Sequence, residues 1–250
     1  MGLSRAGSAR PLSRRRRWPA SAALALAVVL VTGACSQPEF RYVKNSSLNT
    51  YLKVPNRWKE YTHDELINAE LDAARQANQP SSLIDALVNR QYQWREAFDS
   101  DPQPSIDHTL SLATDPVVEV SVRALDPAEH DQVSLASLRN VVVNYDEMKS
   151  QAQDDAAAAS VGIGGATAVN FRPIDEQELN LANGVHGVRL RYVLRPDSSS
   201  PFYAFDQTTL VDSKASLLYV LLIRSGEAEF LQNNGLFTTI AKSFTVKTKG

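Results

Sequence analysis

The stretch Leu217-Leu218-Tyr219-Val220-Leu221-Leu222-Ile223 decides how this chain folds. All seven side chains are aliphatic or aromatic, so neither face of a strand built from them suits contact with water. A strand that is apolar on both faces is typical of the middle of a sheet whose two faces are both covered. Residues 217–223 therefore predict a central strand with helices packed on either side.

Two strands are predicted immediately before this segment. Apolar residues at 188, 190, 192 and 194 alternate with residues at 189, 191, 193 and 195, three of which are arginine. This period of two indicates a strand with one buried face. A turn rich in Pro and Ser at residues 196–201 leads into a second strand at residues 202–211. After the central strand, Phe230, Phe237, Ala241 and Phe244 recur at helical spacing and predict a closing helix.

The first third of the chain predicts a strand followed by capped helices. Residues 48–54 alternate as a strand that Pro55 ends. Thr62-His63-Asp64-Glu65 has the spacing of a capping box, so Thr62 should begin a helix, and a second helix should follow Pro80. The aromatic residues at 92, 94 and 98 fit either a strand or a continuation of that second helix.

The middle of the chain completes the pattern. Residues 118–123, Val-Glu-Val-Ser-Val-Arg, alternate cleanly and predict a strand, and Ser134 should cap a helix. Residues 146–166, which contain an alanine run and several glycines, predict an exposed loop or a partly disordered, flexible insertion. The whole pattern predicts one α+β domain at residues 40–250, an antiparallel sheet covered by helices on both faces.

The net charge of the 250-residue chain, −2, averages two unlike parts. Residues 1–34 contain six arginines and no acidic residue, which leaves 20 basic and 28 acidic side chains, a net charge of −8, in residues 35–250. Basic residues up to Arg17, an apolar stretch at residues 20–31 and small residues at 32–34 are the layout of a cleaved signal peptide. The apolar stretch is shorter than the roughly 20 residues that span a bilayer. The arginine run suits Sec export and twin-arginine export alike.

The only cysteine lies at the end of this signal. Thr32-Gly33-Ala34-Cys35 resembles the lipobox of bacterial lipoproteins, with Thr32 where leucine is usual. In that family the thiol receives a diacylglycerol and the signal is cut just before the cysteine. The resemblance implies lipid attachment at Cys35, a short tether at residues 35–39 and a place on the outer face of the bacterial cytoplasmic membrane, because several acyl chains anchor stably. The alternative is a cytosolic or secreted protein with one buried cysteine.

Two further segments carry a second resemblance. Residues 51–58, Tyr-Leu-Lys-Val-Pro-Asn-Arg-Trp, lie near the start of the predicted domain. At its end, the strand at residues 217–223 is followed by an amphipathic helix and Ser243-Phe244. Both segments are similar to the PsbP/Mog1/DcrB-like fold, which includes bacterial surface lipoproteins. Members of this fold are mostly binding or assembly factors, so the resemblance implies binding rather than catalysis.

No residue pattern predicts a catalytic centre, a cofactor site or a metal site. The four histidines form no close ligand pair, and no serine lies in a nucleophile elbow. The acidic turn at residues 126–131 could offer oxygen ligands to a hard cation, but it lacks the glycine that turns a calcium-binding loop. A solvated turn leading into a helix is the alternative there.

The candidate binding feature is a row of arginines. Arg189, Arg191 and Arg195 occupy alternate positions of one predicted strand, so they should share a face. In an acidic domain this row could bind an anionic wall polymer, a phospholipid head group or an acidic partner. The alternative is pairing with Asp or Glu on a neighbouring strand.

Two functions are compatible with these features. One is a lipid-anchored extracytoplasmic binding or assembly module of the cell envelope. Its partners would be the membrane, through the lipid on Cys35, and an envelope protein or an anionic wall polymer. The other is an envelope enzyme of hydrolase type whose site no motif shows. The acidic charge of residues 35–250 and the predicted export argue against nucleic acid as a partner.

Overall fold

The computed structural model describes residues 39–88, 92–160 and 170–247. The predicted signal at residues 1–34, Cys35 with the lipobox residues Thr32, Gly33 and Ala34, and residues 161–166 of the predicted insertion lie outside the described residues. The described part forms one compact unit.

Strands and helices fill most of the described ranges. The strands are β1 (Phe40–Asn45), β2 (Thr50–Pro55), β3 (Lys59–Tyr61), β4 (Tyr92–Asp99), β5 (Val117–Ala124), β6 (Phe171–Asn180), β7 (His186–Leu194), β8 (Tyr203–Val211), β9 (Leu217–Gly226) and β10 (Thr245–Val246). The helices are α1 (His63–Gln76), α2 (Ser81–Val88), α3 (Ile106–Leu110), α4 (Pro127–Asp131), α5 (Leu135–Arg139), α6 (Tyr145–Ser160), α7 (Glu227–Gln232) and α8 (Asn234–Ser243). None of these helices is both long enough and apolar enough to cross a membrane.

The main sheet has seven antiparallel strands in the order β3-β4-β5-β9-β8-β7-β6. The apolar strand β9 lies in the middle, as its sequence predicts. Leu221 and Ile223 are buried on one face and Leu218 on the other. Burial of one such side chain contributes about 1.5–3 kcal/mol, so a strand buried on both faces contributes heavily to folding.

Helices cover both faces of this sheet. On one face, Phe230 of α7 and Phe237 and Ile240 of α8 pack on β9 and β5. On the other face, Leu138 of α5 and Tyr145 of α6 pack on β7 and β8, and α1 packs separately near the β4 end. The predicted fold class, an antiparallel sheet with helices on both faces, is confirmed.

A second, three-stranded sheet was not predicted from the sequence. It has the order β1-β2-β10, and its buried residues Val43, Leu52 and Val54 join the same core as α8. Ser243, at the end of α8, accepts a hydrogen bond from the Lys53 backbone N–H at 2.8 Å. The small sheet thus packs with α8 against the main core.

The predicted helix starts are confirmed. Thr62 caps α1 and forms a reciprocal capping box with Glu65, and Ser134 caps α5. Residues after Arg90, which fit a strand or a helix in the sequence, form the strand β4. The closing helix is two helices, α7 and α8, separated at Asn233, and the Phe230 and Phe237 rings are still 5.0 Å apart across that break.

The predicted flexible insertion at residues 146–166 is wrong for its first part, because residues 146–160 belong to α6. Tyr145 anchors this helix: its ring is fully buried and lies edge-on to Phe171 at 5.5 Å and Tyr192 at 5.7 Å. Lys149 of α6 also forms an ion pair of 2.8 Å with Glu176 of β6. The alanine run that suggested low complexity is also the composition that best favours a helix.

Candidate functional site

A cleft of about 650 Å³ lies on one face of the main sheet. It lies on the face that carries α5 and α6, where β4, β5 and β9 form the floor. We call it the sheet-face cleft. Its lining residues are Tyr92, Arg95, Glu119, Ser121, Arg123, Ala124, Asp126, Glu129, Val141, Val142, Leu218, Val220 and Leu222. The volume falls within the range of small-molecule sites, roughly 300–1,000 Å³.

The floor of the sheet-face cleft is polar on one side and apolar on the other. Alternate residues of β5, which are Glu119, Ser121 and Arg123, form its polar side. They are paired in register with Leu222, Val220 and Leu218 of β9, which form its apolar side. Because side chains two apart on a strand share a face, the alternation of residues 118–123 produces this surface directly.

Arg95 of β4 is the most deeply buried charge in the cleft, with 4% of its surface exposed. Its Nε donates to Glu119 at 2.8 Å and its Nη2 donates to Glu70 of α1 at 2.7 Å. Its Nη1 is buried and has no hydrogen-bond partner among the described residues. Burial acts to lower the pKa of Arg95, but the two carboxylates outweigh it and raise that pKa, so Arg95 stays charged.

Arg123 and Glu129 form a second ion pair at the cleft. Both terminal nitrogens of Arg123 donate to the two carboxylate oxygens of Glu129 at 2.7 Å. The hydrogen bonds from Arg123 hold the pKa of Glu129 below its ordinary value. Asp126 and Glu129 also form the capping box of α4, which fixes the carboxylate in place. The two-pronged geometry is the strong form of an Arg–carboxylate contact.

The arginines of the predicted row lie outside the sheet-face cleft. Arg189 and Arg191 share the opposite face of the sheet, where both approach the buried carboxylate of Asp206. Arg191 also donates to Asn234 at 2.5 Å and lies 5.1 Å from the Phe230 ring centre. Arg195 follows the last residue of β7, donates to Asn170 and lies over the Phe202 ring. The structure therefore brings two of the three arginines together, on one shared carboxylate.

The histidines and the acidic turn have local structural contacts. His108 contacts Asp99 through Nδ1 at 2.9 Å, while Asp99 also accepts from the backbone N–H groups of Asp101 and Ser105. This arrangement fixes the loop between β4 and α3. The acidic turn at residues 126–131 is largely the helix α4. Over residues 39–88, 92–160 and 170–247, no group of three or more His, Cys, Asp or Glu is placed to hold a metal ion.

The sequence contained a signal for the cleft that its strand prediction left unused. Glu119, Ser121 and Arg123 are polar at alternate positions of a strand that lies deep in the sheet, next to β9. A strand beside the central one would ordinarily be apolar on both faces. Three polar residues on one of its faces therefore indicate that helices do not fully cover that face. Arg95 and Glu70 had no comparable signal, since their roles depend on pairing distant in sequence.

Comparison with known proteins finds likeness in structure and none in sequence. No protein-family model matches the chain, and neither does any curated protein. Several solved structures align over most of the chain. The cyanobacterial PsbP of Synechocystis sp. PCC 6803 has a TM-score of 0.43 at 14% identity, and the alignment covers 86% of this chain and 98% of that one.

Two other solved structures are similar to the same degree. LpqN, described as involved in cell envelope biogenesis of Mycobacterium tuberculosis, has a TM-score of 0.40 at 13% identity, with 84% of this chain and 91% of that one covered. The Ran-binding protein Mog1p of Saccharomyces cerevisiae has a TM-score of 0.36 at 10% identity, with 83% and 95% covered. The likeness concerns the kind of fold alone, and the function has to be argued from this chain's own residues.

Proposed function

We propose that this protein is a lipid-anchored binding module of the bacterial cell envelope, and that its ligand occupies the sheet-face cleft. The observation that carries the proposal is the cleft itself, about 650 Å³ of space above a floor that is half charged and half apolar. Sites for small ligands are concave, largely preformed and lined by apolar surface with a few fixed polar groups. The cleft is concave and combines fixed charged groups with apolar residues, and its lining is more polar than apolar.

The fixed ion pairs of the cleft support a binding function. Each of its two arginines is held by carboxylates at 2.7–2.8 Å. The described residues that line it include neither histidine nor cysteine, the commonest general base and the strongest nucleophile. Fixed ion pairs orient a ligand well, whereas a general base needs a group that is free to take up a proton.

The anchoring part of the proposal rests on the sequence. The layout of residues 1–34 and the lipobox ending at Cys35 support export and lipid attachment. Residues 36–39 are all that separates Cys35 from the first strand, β1. At about 3.5 Å per extended residue, the lipid would hold the domain within roughly 20 Å of the outer face of the cytoplasmic membrane. The binding module would thus work on ligands or partners that are at or near that surface.

The anchoring is tested with Cys35→Ser. Cells expressing the wild type or this variant are fed an alkyne-bearing palmitate analogue and then separated into membrane and soluble fractions. We expect the wild type to carry the label in the membrane fraction, and the variant to lose the label and leave that fraction. An unlabelled wild type would contradict the lipoprotein assignment.

The cleft is tested with Ser121→Phe, which places a large side chain on the open floor beside Arg95 and Val220. Because Ser121 faces the cavity, the variant should fold with nearly unchanged stability. We expect a fragment library screened by methyl NMR to shift the signals of Val141, Val142 and Leu222 in the wild type and not in the variant. Thr208→Val, on the opposite face of the sheet, is the matched control. Fragments that leave these three methyl signals unmoved in the wild type would contradict the proposal.

A further inference from the structure

The charges around the sheet-face cleft do not balance. Arg95 and Arg123 carry two positive charges, while Glu119, Glu129 and Asp126 carry three negative ones at the lining. Glu70, the second partner of Arg95, adds a fourth carboxylate directly behind the lining. The local formal charge is therefore −2, in a chain segment, residues 35–250, that is itself at −8.

From this arrangement we propose that the sheet-face cleft binds a small organic cation that also carries an oxygen acceptor and an apolar chain. The inference rests on the proposed function and names the chemical class of its ligand. Each of the three parts of this ligand is complementary to a different feature of the cleft. These features lie close enough together for one molecule to contact all of them.

The positive charge of the ligand is complementary to the excess of carboxylates in the cleft. Opposite charges attract and like charges repel, and more strongly near a protein surface than in bulk water, so an ammonium group near Glu119 gains where an anion would be repelled. Both arginines already face carboxylates at 2.7–2.8 Å, and their charge is therefore not available to a second anion. A phosphate or carboxylate ligand would have to compete with Glu119 or Glu129 for these arginines and would be repelled by the carboxylates of the cleft.

The oxygen acceptor of the ligand would accept a hydrogen bond from the unpaired nitrogen of Arg95. Its Nη1 is buried without an acceptor among the described residues, and the Arg95 side chain is 5% exposed. A buried donor left without a partner destabilises the protein, and more so when the group is charged. A carbonyl or hydroxyl oxygen of the ligand would remove that cost on binding. Glu70 Oε2, also buried and unpaired, lies in the same cluster and prefers a donor.

The apolar chain of the ligand would pack on the apolar side of the cleft floor and on one wall of the cleft. Leu218, Val220 and Leu222 of β9 and Val141 and Val142 before α6 all line the cavity. Val141 is among the exposed large hydrophobic residues, at 37%. Covering such surface stabilises a complex by about 25 cal/mol per Å². An entirely polar cation would leave this apolar surface exposed to water.

The test uses three dipeptides with the same side chains and different charges: leucyl-leucinamide (+1), N-acetyl-leucyl-leucinamide (0) and N-acetyl-leucyl-leucine (−1). Each is titrated at about pH 6.5, where an α-amino group is protonated, into the lipidated protein in zwitterionic nanodiscs with labelled Leu and Val methyl groups. We expect Val220 and Leu222 to shift with the cation, at an affinity about fivefold or more above that for the neutral compound. The anion should bind weakest. The methyl signals of Leu231, on α7, should not shift with any of the three compounds.

Two variants assign the contacts. Glu119→Gln removes one negative charge and keeps the shape of the side chain. It should therefore weaken binding of the cation about fivefold and leave binding of the neutral compound unaffected. Glu178→Gln, at an exposed position of β6, is the matched control. Arg95→Lys keeps a positive charge beside Glu119 and Glu70 and loses Nη1 with the rest of the guanidinium. It should therefore weaken leucyl-leucinamide more than 3-methylbutylamine, which has no carbonyl. Tighter binding of the anion at these methyl groups would overturn the ligand class and leave the binding cleft standing. If none of the three dipeptides shifts these methyl signals in the lipidated protein, both the ligand class and the proposed binding cleft are wrong.

Discussion

Arg189 of β7 and Asp206 of β8 are joined by two hydrogen bonds, from Nε at 2.7 Å and from Nη2 at 2.5 Å. The two residues are not directly opposite in register; Asp206 is paired with Arg191, and Arg189 reaches it diagonally. Asp206 is 1% exposed. A carboxylate is costly to bury to this extent unless it is paired, so the arginines of this face serve first to neutralise it.

Replacement of this carboxylate should be costly. Asp206→Ala would leave Arg189, whose side chain is 14% exposed, without its partner, and would remove the carboxylate 3.7 Å from Arg191 Nε. Loss of one member of a buried pair costs about 3 kcal/mol, and urea denaturation should show a loss of that size. Asp175→Ala, at an exposed position of β6, is the control and should change stability by less than about 0.5 kcal/mol.

Arg191→Ala distinguishes the two interpretations of the arginine row. Since Arg191 contacts Phe230, Asn234 and Asp206, the variant should lose about 1–2 kcal/mol of stability. Its retention on beads that carry a purified anionic wall polymer should equal that of the wild type, with Arg195→Ala measured alongside. A folded Arg191→Ala protein that no longer binds the polymer would instead establish the row as an anion-binding patch.

Gly187 in β7 should tolerate no side chain. A Cβ added there would lie 2.0 Å from the carbonyl oxygen of Thr209 on β8, and main-chain atoms cannot move away cheaply. Gly187→Ala should therefore cost about 3 kcal/mol or more, measured by thermal or urea unfolding. Gly235→Ala in α8 is the matched control: nothing lies within 4 Å of its Cβ, and alanine should stabilise the helix by up to about 1 kcal/mol. Equal effects of the two substitutions would refute the close approach.

The capping box of α1 offers a test that involves few other contacts. The Thr62 backbone N–H donates to Glu65 at 2.7 Å and the Thr62 hydroxyl accepts from the Glu65 backbone N–H. Thr62→Ala should lower stability by about 1 kcal/mol, whereas Thr62→Ser should keep the cap and change little. Indistinguishable unfolding of the two variants would mean that the cap contributes nothing.

Acidification should weaken the ion pair of Arg123 and Glu129. Because the hydrogen bonds from Arg123 hold the pKa of Glu129 below its ordinary 4.5, the pair stabilises the fold fully above about pH 4.5 and loses its effect as pH falls further. Glu129 is 39% exposed, so solvent screening limits the effect to about 0.5 kcal/mol. Urea midpoints between about pH 3 and 7 should decline less steeply for Glu129→Gln than for the wild type. A parallel decline would contradict this assignment.

The elements that the sequence predicted well are those whose pattern follows from a single strong cause. Strand β9 is apolar on both faces, β5 and β7 alternate, and Thr62 and Ser134 have capping partners three residues on. Each of these signals is local. The order of the strands and the second sheet depend instead on contacts far apart in sequence, such as the pairing of β10 with β2.

Strand β6 and helix α6 show why the remaining elements were missed. In β6 only Phe171 is fully buried, so an edge strand of mostly exposed, charged residues has no apolar period to detect. Helix α6 depends on Tyr145, which packs on Phe171 and Tyr192, a contact invisible before the fold is known. The site follows the same rule: residues 119, 121 and 123 were visible as polar alternation, while Arg95 and Glu70 meet only in the folded chain.

Strand β6 also has a consequence for this protein at high concentration. It is the last strand of the main sheet, ten residues long, with its outer edge unpaired among the described strands. Pro173 lies beside a register shift, and the strand carries Asp175, Glu176 and Glu178. A neighbouring copy that tried to extend the sheet would meet a missing N–H donor, a kink and like charges, all of which disfavour strand addition. Copies of this protein could therefore gather at high concentration without polymerising through this edge.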